Sequence, residues 1–156
     1  MPDASRDLVA NTNGEITRLV ERLHRRYLDL IRYELSKLGI DEINSMQALL
    51  LMNVQDRDVT IRDLVDRGYH VGSNVTYNVR QLVDCGYIIQ NRSEHDRRSV
   101  RIHATEKGQE LCKSLLELEM HHASSIIGEP NDIESARKYL RELERIWSDS
   151  IQFGRG

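Results

Sequence analysis

The sequence predicts a mainly α fold of six helices, interrupted once by a two-stranded β-hairpin, or wing, that directly follows a helix-turn-helix. Three observations carry this. The stretch Thr60 to Ala104 reads as two short helical segments with a tight connection, then two strand segments around a basic loop. On both sides of it, apolar residues recur at three- and four-residue steps over long distances. Residues that start and stop helices stand at the ends of most of these periodic stretches.

At 156 residues the chain makes one domain, or one domain with a helical extension, and buries a core without needing disulfides or metals. With six Tyr, one Trp and one Phe, that core is mainly aliphatic. The formal net charge of -3 does not announce a polyanion partner, so the distribution of charge decides. Arg92, Arg97, Arg98 and Arg101 face only Glu94 and Asp96 between Gln90 and His103, a local basic patch in an acidic chain. Two cysteines without a CxxC pair make no disulfide framework. There is no apolar leader and no apolar run near the roughly 20 residues of a membrane helix, so a cytoplasmic setting without membrane contact is expected.

Taken in order, Met1 to Asn13 is polar and reads as a mobile arm or a short extra turn. A helix of about 24 residues, roughly 36 Å, is expected from Gly14, with Ile16, Leu19, Val20, Leu23, Tyr27, Leu30, Ile31, Leu35 and Leu38 on its apolar side and Gly39 as its stop. Asn44 and Gln47 make a capping box for a second helix, whose run Met46 to Val54 is apolar on nearly all sides and so buried around most of its circumference. Thr60 and Asp63 make another box for a short third helix ending at Gly68. The fourth helix starts at Val71 or Ser73 and ends at Asp84 or Cys85, closed by Gly86, with Val75, Val79 and Leu82 as one narrow apolar stripe. Tyr87 to Ile89 and Val100 to His103 are the two strands, with a charged loop between them. Thr105 caps a fifth helix with Leu111, Leu115, Leu118, Ile126 and Ile127 on its apolar side, broken by Gly128 and Pro130. Asn131 and Glu134 form a third box before a last helix carrying Ile133, Tyr139, Leu140, Leu143, Ile146, Trp147 and Ile151.

The chemistry sits on the fourth helix and the loop. A narrow apolar stripe docks that helix and leaves a broad face of small hydrogen-bonding groups: Ser73, Asn74, Thr76, Tyr77, Asn78, Arg80 and Gln81. Such groups reach base edges and phosphates in a major groove: Asn pairs with adenine, Arg with guanine, and Thr meets the thymine methyl. An ordinary exposed helix would more usually carry Glu and Lys, and neither occurs between Ser73 and Leu82. Arg97 and Arg98 at a hairpin tip suit a minor groove, with Asp96 placed to orient one guanidinium. These residues are the candidate contacts to double-stranded DNA.

From Gln47 to Leu111 the chain resembles the multiple antibiotic resistance regulator (MarR-type) family of winged helix-turn-helix transcription factors. The wing motif of that family is Asp-x-Arg, then an apolar position, Leu-Thr and a later Gly; here Asp96, Arg98, Ile102, Thr105 and Gly108 match, and Ala104 replaces Leu. Leu64, Val75, Thr76, Val79, Leu82 and Gly86 also fall in place. The chain departs from the pattern at Asn78, where the family usually has an apolar residue, at Tyr77, where a basic one is common, and at Arg80, a frequent Asp position. The resemblance implies an obligate homodimer joined by the first and last helices and set on a palindromic operator. It also implies repression relieved by a small-molecule effector or by oxidation. On that reading residues 1–40 are an N-terminal dimerisation helix, 41–108 the winged helix-turn-helix DNA-binding domain, and 109–156 the C-terminal dimerisation helices.

Several residues hold lesser claims. Tyr27, Tyr33, Met46 and Met52 are candidate linings of an effector pocket between scaffold and winged domain, against a plain core role. Cys85 and Cys112 are candidate redox sensors, against structural thiols. His121 and His122 are adjacent, so a helix points them apart, and no metal site, cofactor or catalytic motif is expected. The alternative function is a winged-helix adaptor that binds proteins rather than specific DNA.

Overall fold

The computed structural model describes residues 4–55, 57–66, 72–92, 94–95 and 99–154, with backbone alone at 72 and 73. Nine elements follow one another: α1 (Ala4–Lys37), α2 (Ser45–Val54), β1 (Val59–Thr60), α3 (Ile61–Asp66), α4 (Gly72–Asp84), β2 (Ile88–Arg92), β3 (Val100–Ala104), α5 (Glu106–Ser125) and α6 (Pro130–Phe153). The chain divides into two compact units, Met1–Leu118 and Glu119–Gly156, so the segments 1–40 and 41–108 fall within one of them.

In the larger unit, α1 is a 34-residue helix and begins at Ala4, not at Gly14. The expected arm is helical because ASRDLVANTN contains neither Gly nor Pro and places Asp7 in the first turn, where the helix dipole favours an acid. Only Ile31 and Leu35 of α1 are buried, while Leu19, Leu23 and Leu38 remain exposed. At the C-terminus Gly39 takes a positive φ of 71°, its N–H donates to Ser36 O, and the Ile40 N–H donates to Leu35 O, a Schellman stop. Gly86 repeats the device after α4, with φ 82°, the Gly86 N–H on Val83 O and the Tyr87 N–H on Leu82 O.

Helix α2 is the centre of the core. Ala48, Leu50, Leu51 and Val54 are fully buried, as the all-round apolar run requires. Both capping boxes of the larger unit form. Gln47 N donates to Asn44 Oδ1 and Asn44 N to Gln47 Oε1, each at 2.9 Å. Thr60 N donates to Asp63 Oδ2 at 2.9 Å and Asp63 N to Thr60 Oγ1 at 3.0 Å. The stop assigned to Gly68 lies outside the described residues.

The sheet has three antiparallel strands in the order β1-β3-β2, one more than the hairpin alone. The pairing Val59↔Ile102 adds β1, and it was invisible in the sequence because two residues carry no alternation. The hairpin is longer than expected, with register from Ile88↔Ala104 to Arg92↔Val100. On β2 only Ile88 is buried, so the strand leaves the core after its first residue.

Two expectations about the later helices are corrected. Helix α5 ends at Ser125, so Ile126 and Ile127 are exposed in the following connection rather than on its apolar face; Leu111 and Leu115 are buried. The third capping box does not form. Pro130, pre-set in φ, takes the first helical turn with Glu129 as N-cap, which leaves Asn131 inside the helix and Glu134 bonded to Arg137 at 2.6 and 2.8 Å. In α6 Leu143 is buried, while Ile133, Leu140, Ile146, Trp147 and Ile151 are exposed.

Candidate nucleic-acid interface

Helix α4 docks through the expected stripe. Val75, Val79 and Leu82 are completely buried, in the same core as Leu51, Leu64 and Ile88. Burial of each such side chain contributes about 1.5–3 kcal/mol, enough to fix which face of a 13-residue helix points outward. Asn74, Thr76, Tyr77 and Arg80 are on that outward face, and Gln81 is half-buried at its edge. The side chain of Ser73 lies outside the described residues.

Asn78 is the exception among the candidate base readers. It is half-buried and turned towards α2, where its Oδ1 accepts a bond from Gln47 Nε2 at 3.3 Å. Its departure from the family's apolar pattern is therefore answered by a polar partner inside the fold.

Of the wing, Asp96, Arg97 and Arg98 lie outside the described residues. Arg101 and His103 on β3 approach Asp58 at 3.7 and 3.9 Å, just before β1, so one carboxylate neighbours two basic side chains. The match at Thr105 and Gly108 has a steric reason. Thr105 N donates to Tyr87 O, Thr105 Oγ1 donates to Gly86 O at 2.7 Å, and Gly108 N donates to Thr105 Oγ1 at 3.1 Å. A Cβ on Gly108 would stand 2.2 Å from the Tyr87 carbonyl oxygen. The first turn of α5 therefore packs directly on the backbone that links α4 to the wing.

The same junction carries a polar cluster that sequence reasoning missed. Tyr87 donates its hydroxyl to Glu42 Oε1 at 2.6 Å. Lys107 Nζ donates to the same oxygen at 3.1 Å and to Cys85 O at 3.0 Å, and lies 4.2 Å from the centre of the Tyr87 ring. The Tyr87 hydrogen bond, with Lys107 behind it, holds the Glu42 carboxyl down at about 2, and burial together with Glu42 pushes the Tyr87 phenol up. No short motif signals this group, because its members are 45 and 65 residues apart.

The effector and redox candidates fare differently. A cleft of about 400 Å³ is lined by Arg32, Leu35, Ile40, Ile43, Asn44 and Ser45 among others, and one of about 280 Å³ by Glu42, Tyr87, Lys107, Glu110 and Ser114 among others. Tyr27, Tyr33, Met46 and Met52 line neither. Tyr27 and Met52 pack on the core, Met46 is half-buried, and Tyr33 is 64% exposed. Cys112 is 4% exposed, and burial pushes its thiol up to about 11, which opposes the sensor role. Cys85 is half-exposed, its Sγ 3.7 Å from Glu42 O. Among the described residues no group of three or more His, Cys, Asp or Glu is placed to hold a metal ion, and no helix is long and apolar enough to cross a membrane.

Comparison with known proteins decides the family. A winged helix DNA-binding domain model matches residues 43–108. The exopolysaccharide II synthesis transcriptional activator ExpG of Rhizobium meliloti (strain 1021) is 36% identical over 146 residues, covering 92% of this chain and 75% of that protein. A MarR transcriptional regulator from Methanosarcina mazei Go1 superposes with a TM-score of 0.64 at 25% identity, over 89% of this chain and 98% of that one. The chain belongs to the MarR family. It is a transcription regulator. The fold of this MarR-type chain is also that of Streptococcus pneumoniae FabT, solved in complex with DNA, with a TM-score of 0.68 at 23% identity over 88% and 98% of the two chains.

Proposed function

We propose that a homodimer of this chain binds a palindromic operator, with α4 in the major groove and Arg97 and Arg98 of the wing in the minor groove or on its phosphates. The observation that carries the reading is the division of α4: three wholly buried aliphatic residues, and an opposite face made of Asn74, Thr76, Tyr77 and Arg80 without Glu or Lys. The DNA complex of FabT supports it through the shared fold. The exposed apolar side chains of α1 and of α6 give two helices with surface still to bury, as a dimer held by the first and last helices requires. Two recognition helices in such a dimer fall about one DNA turn apart, roughly 34 to 36 Å.

On this reading the regulator responds to a small-molecule effector that binds one dimer geometry better than the other. Repression is the family expectation, and the relative ExpG is named an activator. The test is selection from a random-sequence DNA pool at near-physiological salt. An enriched palindrome with half-sites one turn apart supports the proposal. Weak, salt-sensitive binding without enrichment, in the presence and absence of reductant, would favour an adaptor that binds proteins.

A further inference from the structure

We infer that Gln47, a buried residue of α2, is a positioning residue for DNA sequence recognition, acting through its bond to Asn78 on α4. The inference rests on α4 reading bases, as proposed above. Gln47 is only 5% exposed, on α2, and both ends of its carboxamide are used. Its Oε1 takes the Asn44 N–H at 2.9 Å, and its Nε2 bonds Asn78 Oδ1 at 3.3 Å. The carboxamide is thus held at one end by the capping box and can serve as a fixed donor at the other.

Its surroundings extend the connection. Ser45, next to Asn44 and also buried, donates its hydroxyl to Leu28 O of α1 at 2.9 Å. Side-chain bonds therefore run from α1 to the first turn of α2 and on to α4. The apolar stripe of α4 resists lifting, but a row of aliphatic contacts defines rotation about the helix axis and sliding along it less sharply than a directional bond does. Tyr77 is next to Asn78 and Asn74 about one turn before it, so an error in that rotation is carried straight to them. Asn78 here positions the reading face; it does not belong to it.

The experiment repeats the pool selection with wild type, Gln47→Met, Asn78→Leu, the double variant, Gln47→Glu and Asn44→Ala. It also measures specific and non-specific affinity and melting for each. Gln47→Met keeps the shape and removes both the donor to Asn78 and the acceptor of the Asn44 N–H. We expect it to lower the ratio of specific to non-specific affinity about tenfold and to broaden base preference, with Asn78→Leu doing the same and the double variant no worse than either. Gln47→Glu keeps an acceptor for Asn44 and a partner for Asn78, whose carboxamide turns over to donate; the wild-type preference returns. Asn44→Ala removes only the side-chain half of the capping box and keeps the backbone N–H that holds Gln47 Oε1, so it lowers the melting temperature and leaves base preference in place. An unchanged operator for Gln47→Met, or additive losses in the double variant, would overturn the inference while leaving the DNA-binding proposal standing. A shift with Asn44→Ala as large as with Gln47→Met would overturn it in favour of general loosening of α2. No enrichment by wild type overturns both readings.

Discussion

The hydroxyl of Tyr87 reaches Glu42 Oε1 at 2.6 Å, which joins the turn after α4 to the connection between α1 and α2. Lys107 closes the group from α5, so three segments distant in sequence share one carboxylate. The Glu42 side chain remains 36% exposed, and solvent screening keeps the whole contribution modest.

This tie has an acid limit. The folded protein holds the Glu42 carboxyl at about 2 against an ordinary 4.5, so its contribution is complete above about pH 4.5 and is lost as pH falls through about 2. Glu42→Gln should cost about 1 kcal/mol at pH 7, and the Tm gap to wild type should close across that window. Thermal melts from pH 7 to 2 check it, and a gap independent of pH would remove the carboxylate from the account.

Gly108→Ala should be far more costly than a surface glycine change. The added methyl would meet the Tyr87 carbonyl at 2.2 Å, so α5 must shift away from the strand junction. We expect a loss of about 2–4 kcal/mol, read from urea unfolding. Gly14→Ala, mid-helix with only Arg18 side-chain atoms nearby, should be neutral or slightly stabilising.

The two thiols should separate cleanly. Cys85 is half-exposed, while Cys112 is buried with its thiol pushed up. A thiol reagent should titrate one group per native chain, and the second only on unfolding. Cys85→Ser should abolish the native reaction. Rapid modification of both would mean that the α2–α5 packing opens readily.

Asn74→Ala should relax base preference at one operator position, at about 1–3 kcal/mol against the preferred base. Arg98→Ala should weaken binding to all sequences and reduce the salt slope by about one unit. Binding isotherms on operator and scrambled duplexes at several salt concentrations separate the two. Equal weakening by Asn74→Ala on every duplex would say that this residue contacts backbone, not bases.

If α6 lies in a subunit interface, the pair Ile146→Asp and Ile151→Asp should convert dimers to monomers in sedimentation velocity while each chain keeps its helical spectrum. Both residues are exposed on a helix with a single buried side chain, so folding of the chain itself does not depend on them. An unchanged sedimentation coefficient would place the interface elsewhere.

What the sequence made legible was local. The boxes at Asn44 and Thr60, the stops at Gly39 and Gly86 and the stripe Val75, Val79, Leu82 each follow from spacing within one or two turns. The failed box at Asn131 is local too, and there a proline one position earlier won the helix start. What stayed hidden depends on distance along the chain. Strand β1 exists only because Val59 meets Ile102, and half-buried Asn78 finds its partner Gln47 31 residues before it. A polar side chain next to an apolar stripe reads the same in sequence whether it faces a groove or a neighbouring helix.

Helix α1 has a mechanical consequence. Its buried residues, Ile31 and Leu35, are both near its C-terminal end. Its first turn is then roughly 40 Å from that anchorage, at 1.5 Å per residue. The helix is a lever with its fulcrum in the winged-helix core, and a tilt of one degree there sweeps the far end by about 0.7 Å on that length. Repacking a single methyl group around Leu35 would thus move the exposed Leu8 and Val9 further than any residue beside the fulcrum.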